Sequence, residues 1–181
     1  MFTSDNGPWQ NLPDRMLQRG VERWHAGTTG LLNGYKGTTY EGGFRVPAII
    51  RWPDVISKGQ VSHELVTTMD LFCTLIDIAG AKIPDDRKID GNSVYSLLKE
   101  GKYTSPEILF YCQGVSLQSV RKGKWKLRAT KELGYELFDL DFDPGEKYNR
   151  AESNKELVNE LYKELINFST ETGAQIEQIE D

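Results

Sequence analysis

Cysteine and long apolar runs are both scarce in this sequence of 181 residues. The two cysteines, Cys73 and Cys112, lie in apolar segments, which favours buried free thiols over a disulfide bridge. No run approaches the roughly 18 apolar residues that a membrane-spanning helix needs, so no membrane span is expected. Met1 is followed by neither a basic region nor an apolar region of the signal-peptide kind, so we expect no targeting signal in this chain.

An excess of positive charge is also missing, since 22 basic residues stand against 27 acidic ones and the net charge is −5. A nucleic-acid-binding protein is expected to carry a basic face, so no nucleic-acid partner is predicted. The hydrophobic content of 38% and the aromatic content of 10% are typical of a folded protein rather than a disordered one.

A glycine-rich segment, residues 31–47, is the most distinctive stretch, and we name it the lysine loop. It places Lys36 among hydroxyl side chains and the glycines Gly34, Gly37, Gly42 and Gly43. Glycines permit positive φ and let a ligand approach the backbone closely, and an ammonium is a compact charge that suits a tetrahedral oxyanion. Taken alone, the segment predicts either an anion site at Lys36 or a glycine-rich surface turn with a solvated lysine.

The first residues resemble the end of a buried strand, Phe2–Thr3, followed by a loop containing Asp5, Asn6 and Gly7. In open α/β sheets, ligands gather at the carboxyl ends of the strands. A carboxylate beside a carboxamide supplies the oxygen ligands that hard cations prefer, although an ordinary Asp-Asn-Gly-Pro turn needs no metal. His25 follows in an irregular loop over residues 9–30, where it is either a pocket-lining side chain or a surface residue.

Hydrophobic patterning predicts the remaining elements. Residues 46–52 are predicted to form a buried strand, and a helix that ends at Gly80 is predicted with a core face of Leu65, Met69, Phe72, Cys73, Ile76 and Ala79. From about residue 105, four short alternating runs and a last helix predict a small α+β unit with a one-sided antiparallel sheet. Ser153 and Glu156 are predicted to form a capping box at the start of that helix, which has Val158, Leu161, Leu165 and Phe168 on its apolar face.

In this order, the segments resemble the C-terminal half of a formylglycine-dependent sulfatase of the arylsulfatase type. The resemblance extends from residue 2 to about residue 165 and is carried by residues 2–7, 36–47, 69–75, 90–93, 119–127 and 136–140. It implies an α/β fold, in which residues 1–104 form part of an alkaline-phosphatase-like α/β/α sandwich. Residues 105–181 would be a small α+β C-terminal subdomain, an antiparallel sheet plus one helix.

The resemblance also implies site residues and cofactors. Asp5 and Asn6 correspond to metal ligands of a divalent cation, usually calcium, which further aspartates of the N-terminal half complete. Lys36 corresponds to the catalytic lysine that binds a sulfate oxygen, and we expect His25 to contact substrate. Glu41 and Arg45 are expected to hold the loop in shape rather than to take part in the chemistry.

The family's nucleophile, a formylglycine made from cysteine in a Cys-x-Pro-Ser-Arg motif, has no match here, because neither Cys73 nor Cys112 has that context. We therefore expect the missing N-terminal half to carry the formylglycine and this chain to be inactive alone. The complete enzyme would hydrolyse a sulfated small molecule or carbohydrate in a periplasmic, extracellular or lysosome-like compartment. Two alternatives stay open, a non-catalytic pseudo-sulfatase or complementing fragment, and a phosphoryl-transfer relative. The scarcity of histidine argues against the second, since such relatives typically hold zinc-like ions with added histidines.

Overall fold

The computed structural model describes residues 1–17, 20–102, 106–177 and 179. The strands and helices, in chain order, are β1 (Phe2–Thr3), α1 (Glu41–Phe44), β2 (Ala48–Ile49), α2 (Asp70–Ile78), α3 (Tyr95–Glu100), β3 (Ile108–Gln113), β4 (Ser116–Lys122), β5 (Trp125–Thr130), β6 (Gly134–Asp139), α4 (Lys155–Thr172) and β7 (Gln175–Ile176). Two short 3-10 segments, Asp14–Met16 and Arg23–Ala26, lie between β1 and α1. Among the described helices, none combines the length and the apolar character needed to cross a membrane.

Contacts group the chain into two units, each of which is built from two separate segments. The first unit consists of Met1–Asp5 and Ala48–Pro106, and the second consists of Asn6–Pro47 and Glu107–Asp181. The predicted division into residues 1–104 and 105–181 stays a prediction, because its boundary lies outside the described residues. The contacts add that the lysine loop belongs to the same unit as the C-terminal strands.

The first unit contains a short ribbon in which β1 and β2 pair antiparallel, with Phe2 opposite Ile49. The predicted buried strand over residues 46–52 is wrong in length and burial, since only Ala48–Ile49 is extended in a ladder and both residues are exposed. The partner strand β1 has only two residues, so it offers no hydrogen bonds to the rest of the apolar run.

Asp70, at the start of α2, ties this helix to the segment that precedes α3. One of its carboxylate oxygens accepts the backbone N–H of Thr67 at 2.6 Å, and the other accepts the N–H of Asn92 at 2.7 Å. A Cβ on Gly91 would lie 2.6 Å from the carbonyl oxygen of Met69, so this crossing requires glycine. Asp70 and Cys73 are consequently buried on the side of α2 that faces residues 90–94.

The predicted core face of α2 is only partly correct. Cys73 is fully buried, but Met69 and Phe72 are 46% and 50% exposed. Periodicity identifies an apolar stripe but not the element that covers it, and the residues described in this unit cover the stripe beside Cys73 alone. Phe72 and the more exposed Leu75 leave an apolar surface on this unit.

The second unit is organised around an antiparallel sheet with the strand order β3-β4-β5-β6, and β7 pairs parallel with the start of β4. All four strands predicted beyond residue 105 are confirmed, and Lys122 pairs with Trp125 in the hairpin between β4 and β5. Side chains alternate between the faces, so the registered row Val120, Leu127 and Leu137 is apolar. The next row, Arg121, Lys126 and Phe138, points to the opposite face.

Helix α4 covers the apolar face of this sheet. Its residues Val158, Leu161 and Leu165 are buried in one cluster with the sheet, as predicted, and the ring of Phe168 stacks on Phe110 with 4.0 Å between centroids. The helix ends at Gly173, which takes the left-handed conformation. Both cysteines are free thiols, as expected, but only Cys73, in the first unit, is buried, whereas Cys112, in this unit, is partly exposed.

The predicted capping box at the start of α4 does not form. The Ser153 hydroxyl donates to the carbonyl of Arg150 at 3.1 Å, as does the Asn154 side-chain amide at 2.8 Å. These bonds belong to the preceding turn, so Asn154 takes the N-cap position without capping the helix through its side chain.

The sheet is not one-sided, and that prediction is wrong. Its second face carries Lys126 and Arg128, whose side chains are 0% and 6% exposed. Residues of the lysine loop cover this face, and that packing builds the candidate site.

Candidate functional site

The loop after β1 and the lysine loop, about thirty residues apart in sequence, are hydrogen-bonded to each other. The N–H of Gly7 donates to the carbonyl of Gly43 at 2.9 Å, and the N–H of Lys36 donates to the carbonyl of Pro8 at 3.0 Å. A Cβ on Gly7 would lie 1.8 Å from the carbonyl oxygen of Gly42, so only glycine permits this approach. The loop from Asn6 onward and the lysine loop therefore form one local structure.

The Lys36 side chain is half-buried, and its Nζ lies 5.0 Å from the centroid of the Trp9 ring. At this distance the negative face of the indole attracts the ammonium. The backbone bond from Lys36 to Pro8 fixes the start of the side chain, and the Trp9 ring contacts its charged end. Lys36 is thus held at both ends by residues 6–9 of the loop after β1, a segment that we name the Asn6–Trp9 turn.

The lysine loop is packed tightly on itself. Its last turn is the one-turn helix α1, and the N–H of Gly42 donates to the carbonyl of Asn33 at 2.6 Å. A Cβ on Gly43 would lie 2.3 Å from the carbonyl oxygen of Thr38. The glycines at 42 and 43 therefore admit the loop's own backbone rather than a ligand, which corrects the expectation for these two positions.

A buried ion cluster joins the end of the lysine loop to the sheet. The Lys126 ammonium lies 2.9 Å from a carboxylate oxygen of Glu41 and 2.9 Å from one of Glu146. Arg121 approaches the other oxygen of Glu41 at 3.6 Å, so two cations face two carboxylates and the cluster is neutral. Glu146 also accepts the backbone N–H of Glu41 at 2.6 Å, which satisfies a free donor at the start of α1.

Burial changes the protonation behaviour of this cluster. Desolvation raises the pKa of Glu146 above its usual range, while Lys126 and the N–H of Glu41 act in the opposite direction. Desolvation likewise raises the pKa of Tyr111, whose ring lies 4.5 Å from the Lys126 ammonium. The expected structural role of Glu41 fits this geometry, but its partners are Lys126 and Arg121, and Arg45 is exposed.

A second group of contacts holds residues 39 and 40 of the lysine loop against the sheet. The Arg128 guanidinium stacks on the Tyr40 ring, with 3.6 Å between its Cζ and the ring centroid. Its Nε donates to the Thr39 hydroxyl at 3.2 Å. Arg128 also pairs with Glu136, which accepts the Tyr40 hydroxyl at 3.0 Å. Desolvation is the main reason that the pKa of Tyr40 is raised to about 12. Thr39 donates in turn to the Gln118 side chain at 3.1 Å.

The predicted metal ligands are assigned to different units, Asp5 to the first and Asn6 to the second. Asp5 is exposed, whereas Asn6 is half-buried and its amide nitrogen donates to the carbonyl of Gly7 at 3.1 Å. Within the described ranges, no group of three or more histidine, cysteine, aspartate or glutamate side chains is arranged to hold a metal. Asp5 and Asn6 offer suitable oxygen donors for calcium but only part of a coordination shell.

His25 lies in the exposed 3-10 segment of the second unit. Its Nδ1 accepts the N–H of Glu22 at 3.0 Å, and its ring packs edge-on against the Trp24 ring with 3.9 Å between ring centroids. These contacts shape the local turn, and the substrate-contacting role of His25 stays a prediction.

Sequence reasoning missed the residues of the sheet that hold the loop. The available signal was the alternation along residues 124–128, where basic side chains occupy every second position and apolar ones the positions between. In a sheet with one solvated face, these basic residues would point to water. Only the packing of the lysine loop shows that Arg121, Lys126 and Arg128 are partners of its residues.

The chain resembles known proteins over most of its length. The family model described as N-sulphoglucosamine sulphohydrolase, C-terminal, matches residues 34–171. An arylsulfatase from Hemicentrotus pulcherrimus is 32% identical over 182 residues, covering 81% of this chain and 31% of that relative. N-acetylgalactosamine-6-sulfatase from Rattus norvegicus is 39% identical over 148 residues, covering 80% of this chain and 26% of that relative. The chain therefore spans about a third or less of these relatives.

Solved structures also match this chain over most of its length. A sulfatase-like protein described with the metabolism of multiple glycosaminoglycans by Bacteroides thetaiotaomicron matches with a TM-score of 0.76 at 30% identity, covering 93% of this chain and 38% of that one. A protein solved in complex with k-i-k-neocarrahexaose matches with a TM-score of 0.74 at 25% identity, covering 96% of this chain and 36% of that one. The predicted fold class is confirmed by these matches.

Proposed function

Because this chain belongs to the sulfatase family, matching its N-sulphoglucosamine sulphohydrolase C-terminal model, we propose that it is the C-terminal part of an enzyme that hydrolyses sulfate esters. The observation that carries this proposal is the pair of backbone hydrogen bonds between the Asn6–Trp9 turn and the lysine loop. Through these bonds, a candidate cation ligand and a candidate sulfate-binding ammonium belong to one rigid local structure.

Lys36 has the principal role in this proposal. Its ammonium would bind an oxygen of the sulfate group and stabilise the negative charge that develops on the sulfuryl oxygens during transfer. A charge fixed in advance needs little reorganisation during the reaction, and removing one such donor typically lowers kcat by about 10²- to 10³-fold. The contacts of Lys126 with Glu41 and of Arg128 with Thr39 support this role, because they attach the loop that carries Lys36 to the sheet.

Asp5 and Asn6 would hold a calcium ion together with ligands from the N-terminal part of the enzyme. Hard cations take about six to eight oxygen ligands, so these two side chains are an incomplete set by themselves. When bound, such a cation supplies Lewis-acid stabilisation of sulfate oxygens. The residues of this chain contribute the carboxylate of Asp5, the carboxamide of Asn6 and the ammonium of Lys36.

The nucleophile is proposed to come from the N-terminal part, since this sequence has no Cys-x-Pro-Ser-Arg motif that formylglycine formation would use. We therefore expect the chain to be inactive alone. The exposed apolar side chains of the first unit, among them Phe2, Ile49 and Leu75, are the surface we assign to contact with that part. A chain that spans about a third of its relatives is consistent with this division of the site.

The substrate class we propose is a sulfated carbohydrate or small molecule. The relative from Rattus norvegicus is named N-acetylgalactosamine-6-sulfatase, and a structural neighbour was solved with k-i-k-neocarrahexaose, which favours the carbohydrate. For the complete enzyme we propose a periplasmic, extracellular or lysosome-like location, as the family resemblance implies.

The function is tested by mixing this chain with a separately produced N-terminal sulfatase part in calcium buffer. Chromogenic aryl sulfate and aryl phosphate are then offered to the mixture and to each component. We expect aryl sulfate to be hydrolysed by the mixture alone. Preference for the phosphate would favour a phosphoryl-transfer enzyme, and a stable complex without hydrolysis of either ester would favour a non-catalytic pseudo-sulfatase.

A further inference from the structure

We propose that Trp9 is a positioning residue for Lys36, holding its ammonium in the orientation that receives the sulfate group. This inference rests on the proposed function, because it concerns the same lysine. It adds a residue that the comparison of motifs does not mark, since Trp9 lies after the Asp-Asn-Gly segment and outside the lysine loop. Trp9 and Lys36 belong to the same unit of the structure.

The geometry gives Trp9 access to the charged end of Lys36. The ring centroid lies 5.0 Å from Nζ, within the roughly 6 Å over which an indole attracts a cation. Trp9 follows Pro8, whose carbonyl accepts the N–H of Lys36 at 3.0 Å. One dipeptide therefore fixes both the backbone of Lys36 and the direction of its side chain.

A positioned ammonium differs from a solvated one in its conformational freedom. A free lysine side chain samples many rotamers, and ordering it when substrate binds costs entropy. The Trp9 ring limits these rotamers beforehand and leaves the ammonium's hydrogen atoms available to an oxyanion, since a ring face takes no conventional hydrogen bond. An ion pair with a carboxylate would order the side chain as well, but it would compete with the sulfate for the same charge.

The anchoring of the loop does not depend on this contact. Residues 39–41 are held by Arg128 and Lys126 on the C-terminal sheet and by Glu146 in the turn after β6, and the Gly7–Gly43 bond joins the two backbones. Replacing the Trp9 side chain should therefore change the position of the Lys36 side chain while the backbone of the loop stays in place. This separation makes the role testable apart from folding.

The first test is spectroscopic and uses the full chain alone. Lysines are labelled by reductive ¹³C-methylation, and the Lys36 signal is assigned by its loss in Lys36→Arg. An indole face produces an upfield ring-current shift, so we expect this signal to be displaced in the wild-type chain, partly retained in Trp9→Phe and lost in Trp9→Leu. Trp24→Leu is the matched control, because Trp24 is exposed and contacts His25. A Lys36 signal that is identical in wild type and Trp9→Leu overturns the proposal.

The second test measures aryl sulfate hydrolysis by the chain assembled with the N-terminal sulfatase part. A cation–π contact of this kind corresponds to about a two- to fivefold effect, so we expect Trp9→Leu to lower kcat/KM by that factor, with Trp9→Phe close to wild type. Equal kcat/KM for Trp9→Leu and wild type would overturn the positioning role while the sulfatase assignment stands. If no assembly hydrolyses the ester although the Lys36 ring-current shift is present, the proposed function fails and the positioning role fails with it, while the Trp9–Lys36 contact stands.

Discussion

Lys126 and Glu41, which lie 85 positions apart in sequence, form a buried ion pair with 2.9 Å between ammonium and carboxylate. Glu146, in the turn after β6, is a second partner of Lys126, with a carboxylate oxygen 2.9 Å from the same ammonium. Both carboxylates thus contact the same lysine, and Arg121, 3.6 Å from the other oxygen of Glu41, is the second cation of the cluster. Because Glu41 follows Lys36 by five positions, the pair connects the C-terminal sheet to the loop that carries the proposed sulfate-binding residue.

Replacing Lys126 by methionine should destabilise the protein strongly. The change keeps the length of the side chain but leaves two buried carboxylates with Arg121, 3.6 Å from Glu41, as their remaining cation, and breaking a buried pair in this way costs about 3–5 kcal/mol. Lys124→Met is the matched control, since Lys124 is half-exposed and pairs with Asp139, so about 1 kcal/mol or less is expected. Urea unfolding followed by circular dichroism measures both free energies, and similar losses for the two variants would contradict the account.

The raised pKa of Glu146 predicts a dependence of stability on pH. In the folded protein this carboxyl binds its proton at a higher pH than in the unfolded chain. The folded state therefore holds more protons between the two pKa values, and this group's contribution to stability decreases as the pH rises through that interval. The interval begins near the ordinary glutamate pKa of about 4.3 and ends at the raised value.

Glu146→Gln removes this titration and should remove its part of the slope. Unfolding free energies measured from pH 4 upward should therefore fall less steeply with pH in the variant than in the wild type. Glu41 and Lys126 face the same carboxyl and are present in both proteins, so the difference between the profiles isolates Glu146. Parallel profiles would show that its proton affinity is unchanged by folding.

Gly7→Ala should disturb the joint between the Asn6–Trp9 turn and the lysine loop. The added Cβ would lie 1.8 Å from the carbonyl oxygen of Gly42, so the two backbones must separate. We expect faster hydrogen exchange at the amide of Lys36, together with a destabilisation of about 1–3 kcal/mol, typical of overpacking. Gly114→Ala is the comparison variant for exchange: its φ of +60° strains an alanine, but the Cβ meets no neighbour within 4 Å, so the exchange of the Lys36 amide should stay unchanged.

Leu75 tests the surface assigned to the N-terminal part. It is 66% exposed on α2, so Leu75→Ser should change the free energy of unfolding by only about 0.5 kcal/mol. If the N-terminal part buries this side chain, losing about 1.5–3 kcal/mol of apolar contact should weaken assembly about ten- to a hundredfold. Val115→Ser, at a site 71% exposed on the β3–β4 turn, should not weaken it. Equal affinities of the two variants, measured by titration calorimetry, would remove α2 from the interface.

The elements that local patterns determine could be predicted from the sequence. Strands β3 to β6 and helix α4 alternate or repeat their apolar residues with the correct period, and Gly173 marks the end of α4. The run over residues 46–52 has the composition of a buried strand, but its ladder depends on a two-residue partner. Composition cannot show which partner is present, so both its length and its burial were predicted wrongly.

The residues of the candidate site are also of two kinds, those that local sequence patterns indicate and those that only tertiary packing identifies. Lys36, Asp5 and Asn6 could be proposed because glycines, oxygen ligands and the family resemblance mark short segments. Glu146 and Lys126 could not, because their pairing with Glu41 joins residues that are distant in sequence and each of them alone resembles a solvated surface charge. Only the tertiary packing of the loop on the sheet identifies them.

The most direct test of the account is the effect of Lys36→Ala on aryl sulfate hydrolysis by the chain assembled with an N-terminal sulfatase part. Lys58→Ala serves as control, because Lys58 is exposed and belongs to the other unit. The account predicts that Lys36→Ala lowers kcat/KM by about a hundredfold or more with assembly intact, and that Lys58→Ala leaves it unchanged. An assembled Lys36→Ala enzyme with the activity of the wild type, or hydrolysis by the isolated chain, would contradict it.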